Sequence, residues 1–195
     1  DMESSRCNSI ALDQSNPNRL WLAVSGKITP NEGGVYVSED QGNTFVWDSM
    51  GMSGTSFFST SIWQAGPQLA VSKNGNMIVA SSSSQSIYTR AVDDKNWKKV
   101  KLKNSNNGKP SSVAASMYAP GILAVAIRGS GLFLSSDNGT SFQQVWKGDA
   151  SYVAMDPYLP NRIAISTSNG IVLTTNFGKT FEQLEELPGV GHKTA

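Results

Sequence analysis

Three segments of this chain repeat one short pattern, and that pattern admits little besides a tight reversal between two β-strands. They are Ser38-Glu39-Asp40-Gln41-Gly42-Asn43-Thr44-Phe45, Ser135-Ser136-Asp137-Asn138-Gly139-Thr140-Ser141-Phe142 and Thr174-Thr175-Asn176-Phe177-Gly178-Lys179-Thr180-Phe181. Each follows an apolar run opening on glycine: Gly34 to Val37, Gly131 to Leu134 and Gly170 to Leu173. The carboxylate of Asp40 can accept hydrogen bonds from backbone N–H groups of its own turn, and Gly42 supplies a positive φ. Phe45 then carries the chain into the next strand and can bury its ring between neighbouring strands.

The repeat extends beyond the turn. Ser9 to Asp13, Asn16-Pro17-Asn18-Arg19 and Leu20 to Val24 precede the first copy, and Tyr152 to Asp156, Pro160-Asn161-Arg162 and Ile163 to Ser166 precede the last. The copy ending at Phe142 has Val113 to Met117 and Ile122 to Ile127. A worn unit keeps the strands at Gln68 to Ser72, Met77 to Ser81 and Ile87 to Arg90, but Asp93-Asp94-Lys95-Asn96-Trp97 replaces the turn and its glycine is gone. Taking Phe45, Trp97, Phe142 and Phe181 as equivalent gives spacings of 52, 45 and 39 residues, which suits a four-stranded propeller blade. The predicted fold is therefore all-β. It consists of four four-stranded antiparallel blades at about 8–50, 67–102, 111–146 and 151–187, forming one segment over 1–195.

The turn sequence resembles the Asp-box, or BNR repeat, of sialidases, xyloglucan-specific endoglucanases, sortilin-type receptors and a photosystem II assembly factor. Asp40, Gly42 and Phe45 match it in full together with Ser38 and Thr44. Asp137, Gly139 and Phe142 match with Ser141 for threonine, and Gly178 and Phe181 match with Asn176 for aspartate. The Asn-Pro-Asn-Arg turn brings the resemblance closest to the xyloglucanase and sortilin branch. Relatives of this kind close rings of about seven blades, so the resemblance implies that these four belong to a larger ring. It also implies a secreted, periplasmic or extracellular carbohydrate-active protein, with no cofactor. As alternatives it leaves open a non-catalytic propeller binding a protein or peptide, and a sialidase.

Composition narrows the partners. Sixteen basic residues against fifteen acidic leave a net charge of +1, which argues against nucleic acid. The run from Tyr118 to Ile127 is interrupted by Pro120 and Gly121, so no membrane-spanning helix is expected. The chain opens in polar residues without a leader and reads as a processed or excised segment. Cys7 is the only cysteine and His192 the only histidine, so neither an internal disulfide nor a metal site is expected. Expected partners are a polysaccharide or oligosaccharide and the remaining propeller blades.

Strand alternation puts the turns after first and third strands on one face and the other connections on the opposite face, where variable loops can hold a ligand. The loop from Asp48 to Gly66 is long and carries Phe57, Phe58 and Trp63. Such rings can lie against the apolar face of a sugar, or can plug the loop onto the next blade. Trp63, Phe58 and Arg128 are the candidate ligand contacts. Asp48, Asp149 and Glu32 are the candidate acid and base groups, because glycoside hydrolysis uses two carboxyls. Asp40, Asp137 and Asn176 are assigned to turn structure instead.

Overall fold

Outside the turns every described segment is extended, because short runs of β-branched and aromatic residues alternate with hairpin sequences. The computed structural model describes residues 6–30, 32–52, 68–73, 76–81, 86–103, 105, 108–119 and 121–184. Blade 1 comprises β1 (Cys7–Leu12), β2 (Leu20–Thr29), β3 (Gly33–Ser38) and β4 (Val46–Trp47). Blade 2 comprises β5 (Gln68–Val71), β6 (Asn76–Ser81), β7 (Ser86–Ala91) and β8 (Lys98–Val100). Blade 3 comprises β9 (Lys109–Ala115), β10 (Leu123–Arg128), β11 (Gly131–Ser135) and β12 (Gln143–Trp146). Blade 4 comprises β13 (Ala150–Met155), β14 (Ile163–Thr167), β15 (Gly170–Thr174) and β16 (Glu182–Leu184). Each blade is an antiparallel meander with its strands in chain order. The fold is that of propeller blades.

Two strands run further than their sequence suggests. β2 continues beyond Val24 through Ser25 to Thr29, by way of a bulge opposite Gly33 and Gly34. β9 begins at Lys109, pairing with Arg128 before a register shift. Polar residues can enter a strand at such ends because the ladder there faces the loops.

The core lies between blades. Trp21, Ala23 and Val35 of blade 1 meet Leu69 and Tyr88 of blade 2. Ile87 of blade 2 meets Leu123, Val125, Ile127 and Phe133 of blade 3. Ala124, Ala126 and Leu132 of blade 3 meet Val153, Ile163 and Ile165 of blade 4. Strand alternation explains this division: Leu123, Val125 and Ile127 point to one neighbour, while Ala124 and Ala126 point to the other. In blade 3 the face toward blade 2 carries Leu123, Val125, Ile127 and Phe133, and the face toward blade 4 carries Ala124 and Ala126 beside Leu132. Innermost strands neighbour one another in the order β1, β5, β9, β13, and no comparable packing joins β13 back to β1 among the described residues. The four blades form an open arc.

Candidate functional site

The turn motifs on one face form a bonded framework. Asp40 Oδ1 accepts from the Ser38 hydroxyl at 2.7 Å and from Thr44 N–H at 2.8 Å, and Oδ2 accepts from the Thr44 hydroxyl at 2.7 Å. Ser38 Oγ in turn accepts from Gly42 N–H at 2.8 Å. Asp137 repeats the pattern with Ser135 and Ser141, and Gly139 N–H donates to Ser135 Oγ. Asn176 reproduces it with an amide: Oδ1 accepts from the Thr174 hydroxyl and Thr180 N–H, and Nδ2 donates to the Thr180 hydroxyl at 2.7 Å. Donors converging from Thr44 and Ser38 hold the Asp40 carboxyl down to a pKa of about 2, and the Ser141 hydroxyl and N–H lower that of Asp137. Carboxyls so strongly held in the ionised form are poor proton donors at neutral pH.

Each box uses two left-handed residues in succession. Gln41, Asn138 and Phe177 have φ of 62°, 60° and 57°, followed by Gly42, Gly139 and Gly178. This conformation turns the first residue's N–H toward the turn between first and second strands: Gln41 donates to Asn18 O, Asn138 to Gly121 O and Phe177 to Asn161 O. Those first turns are themselves closed by a side chain. Asp13 accepts from the N–H and hydroxyl of Ser15 and pairs with Arg19 at 3.5 Å. Asp156 accepts from Tyr158 and Leu159 N–H and pairs with Arg162 at 3.6 Å. The phenylalanines that follow the boxes, Phe45, Phe142 and Phe181, are half-buried just before the outer strand.

Blade 2 is held differently. The register Met77↔Arg90 corresponds to Leu20↔Ser38 and Leu123↔Ser135, so Arg90 stands where the other blades have the box hydroxyl. Its side chain is only 3% exposed. It bonds Asp48 of blade 1 through both terminal nitrogens and lies over the Trp97 ring at 4.8 Å. Asp48 also accepts from Trp21 Nε1 at 3.1 Å, and its carbonyl accepts from Trp97 Nε1 at 2.7 Å. The carboxylate nominated from sequence as an acid or base is thus an anchor between two blades. Sequence reasoning could have found it from an arginine aligned with the box serine.

The other nominated residues scatter along the opposite face. Asp149, exposed, accepts from Gly129 N–H at 2.9 Å beside the exposed Arg128. Lys109 and Lys147 lie at the same end of blade 3. Glu32 closes the β2–β3 turn, its N–H donating to Thr29 O at 3.2 Å. Phe58 and Trp63 lie outside the described residues, as do Phe57 and His192. Three of the five arginines, Arg19, Arg90 and Arg162, are ion-paired with aspartates. A cleft of about 900 Å³ opens on the framework side between blades 1, 2 and 3, lined by Asp13, Asp93, Asp94, Lys98 and Lys99 among others. Among the described residues no cluster of three or more His, Cys, Asp or Glu could hold a metal, and no helix is long and apolar enough to cross a membrane.

No family model matches the chain, and no curated protein does. Solved structures do. The GH74 xyloglucanase from Xanthomonas campestris superposes with a TM-score of 0.65 at 13% identity, over 93% of this chain and 31% of that one. YCF48 from Cyanidioschyzon merolae gives 0.60 at 16% identity, over 92% and 56%. YCF48 bound to D1 peptide gives 0.54 at 14% identity, over 96% and 69%. The chain therefore spans about a third of the xyloglucanase and just over half of the algal YCF48. At these identities the likeness is one of fold, shared alike by a polysaccharide-degrading enzyme and a peptide-binding propeller.

Proposed function

We propose that this arc contributes the glycan-recognising face of a secreted carbohydrate-active propeller, acting on a polysaccharide such as xyloglucan. The observation that carries the reading is the division of polar groups between faces. On the framework side Asp13, Asp40, Asp137 and Asp156 are bonded into turns. On the loop side Arg128 and Asp149 stand exposed at the end of blade 3. A sugar needs such groups for its hydroxyls and an aromatic surface for its C–H face, the role proposed for Trp63 and Phe58. Similarity of fold to the GH74 xyloglucanase supports the substrate class.

Hydrolysis needs two carboxyls with separate roles. Asp48 is disfavoured as one of them, since its protonation would leave the buried Arg90 guanidinium without a counter-charge. Asp149 and Glu32 remain the candidates. Calorimetric titration of the chain with xyloglucan oligosaccharides tests the reading, with a parallel assay for new reducing ends. Binding should vanish in Trp63→Ala and weaken about tenfold in Arg128→Ala. Absence of binding to any β-glucan would end it.

A second reading is that the arc binds a peptide, as YCF48 does D1. It is favoured by the cleft between blades 1, 2 and 3, whose lining includes both acidic Asp93 and Asp94 and basic Lys98 and Lys99 and suits charged side chains better than sugar hydroxyls. Binding of a mixed-charge peptide that is lost in Lys98→Glu/Lys99→Glu would establish it.

A further inference from the structure

Charge is unevenly distributed along this chain. Seven of its sixteen basic residues, and none of its fifteen acidic ones, lie between Lys95 and Ser136. That stretch holds the outer strand of blade 2, the connection that follows and the first three strands of blade 3. Burial alternates along β8 and the residues after it. Val100 and Leu102 are half-buried, Leu102 against the core shared by blades 2 and 3, while Lys99, Lys101 and Lys103 are exposed. Alternation sets Lys99 and Lys101 on one side, roughly 7 Å apart along the backbone, with Lys103 next in line.

The end of blade 3 adds to this row. Lys109 pairs directly with Arg128 across β9 and β10, and Lys147 follows β12 beside Gly131. The connection from blade 2 is fixed there, because the Ser130 hydroxyl donates to Ser105 O. Among the described residues none of these six cations has an ion-pair partner, and the nearby Asp149 accepts from Gly129 N–H.

Between blades 2 and 3 the row borders a hollow of about 240 Å³. Buried Ile87, Pro110 and Ile127 form its floor, exposed Lys99 and Lys101 its rim, and no acidic side chain lines it. An apolar floor suits the C–H groups of a sugar ring. Two ammonium groups at the rim suit a carboxylate on that ring, to which each can donate charge-assisted hydrogen bonds. Bases of a nucleic acid stack on aromatic side chains, and no aromatic ring lines the hollow.

We infer, on the carbohydrate reading above, that this hollow binds a uronate residue of an acidic polysaccharide. Lys99 and Lys101 hold its carboxylate, and the cations at the end of blade 3 meet the acidic groups of neighbouring sugars.

Calorimetric titration of the 195-residue chain tests this with four probes: oligogalacturonate, xyloglucan oligosaccharide, polyglutamate and a sulfated glycan. Oligogalacturonate should bind, and its affinity should fall about tenfold as salt rises from about 50 to about 500 mM. Lys99→Gln/Lys101→Gln should weaken it about tenfold and Lys103→Gln/Lys109→Gln about threefold, whereas Lys179→Gln, on the blade 4 hairpin, should leave it unchanged. Far-UV circular dichroism separates lost binding from lost folding, and single Lys101→Gln reads the same contact should a double variant fail to fold. Binding of xyloglucan oligosaccharide without oligogalacturonate would overturn the inference and leave the carbohydrate reading standing. Binding of neither would end both. Equal affinity for polyglutamate or the sulfated glycan would also overturn it, since the site would then recognise charge alone, as would oligogalacturonate binding unchanged in both double variants.

Discussion

The hairpin of blade 3 and the hairpin of blade 2 occupy the same place and are held by opposite means. In blade 3 the restraints are local: Ser135, Asp137, Gly139 and Ser141 bond one another within seven residues. In blade 2 they come from a neighbour, as Asp48, 42 positions away in sequence, receives Arg90. A hairpin can lose its own turn chemistry when packing supplies a substitute, but its stability then depends on another blade. Local turn bonds form without the rest of the arc, whereas the Arg90 anchor requires blade 1 to be in place.

The contrast predicts a hierarchy of effects. Asp48→Ala leaves a buried guanidinium unpaired and should cost about 3–5 kcal/mol, visible as a lower denaturation midpoint and early loss of the interface between blades 1 and 2. An equally small loss at Asp48 and at the exposed Asp149 would break the comparison. Gly139→Ala should cost roughly 2–3 kcal/mol, combining a φ of 77° with a Cβ only 2.7 Å from Thr89 Cγ2 of blade 2. Its counterpart at Gly42, where the nearest atom is 3.7 Å away, should cost less, so denaturant melts of the two separate strain from crowding. Ser135→Ala strips a buried hydroxyl from Gly139 N–H and Asp137, about 1–2 kcal/mol.

Two smaller effects sharpen the picture. Phe177 holds a bulky side chain at a φ of 57°, so Phe177→Asn should stabilise blade 4 by roughly 0.5–1 kcal/mol in thermal denaturation. Acid should distinguish the boxes. The Asp40 carboxyl is held near a pKa of about 2, below its ordinary value of 3.8. Its contribution is therefore complete above the ordinary value and fades as pH falls through that window. Asn176 makes the same bonds without titrating. Asp40→Asn should leave melting at pH 7 nearly unchanged and flatten its decline between pH 4 and about 2. Amide exchange by NMR should then show blade 1 matching blade 4.

Much of the architecture could be read from the chain because its determinants are local. Gly42, Gly139 and Gly178 identify the turns, and alternation in Leu20 to Val24 or Ile163 to Ser166 gives the strands. The left-handed residue before each glycine was missed, since Gln41 and Phe177 are not residues that signal it. Asp48 has a partner that is hidden in the chain for a related reason. Its position in a loop suggested an accessible acid, while its partner Arg90 comes near only when two blades pack. The candidate ligand contacts depend on groups from several loops at once, and spacing along a chain conveys nothing of their separation.

The asymmetry of the blade faces, bulky on the leading side and often small on the trailing side, gives the array a sense of direction. A duplicated copy of blade 3 inserted after itself would present Leu123 and Val125 to Ala124 and Ala126, so both new contacts would pair bulk with a gap. Lengthening such an array by repeating a blade keeps bulk facing gap, whereas reversing blade 3 would set Leu123 and Val125 against Ile163 and Ile165 of blade 4 and force bulk onto bulk.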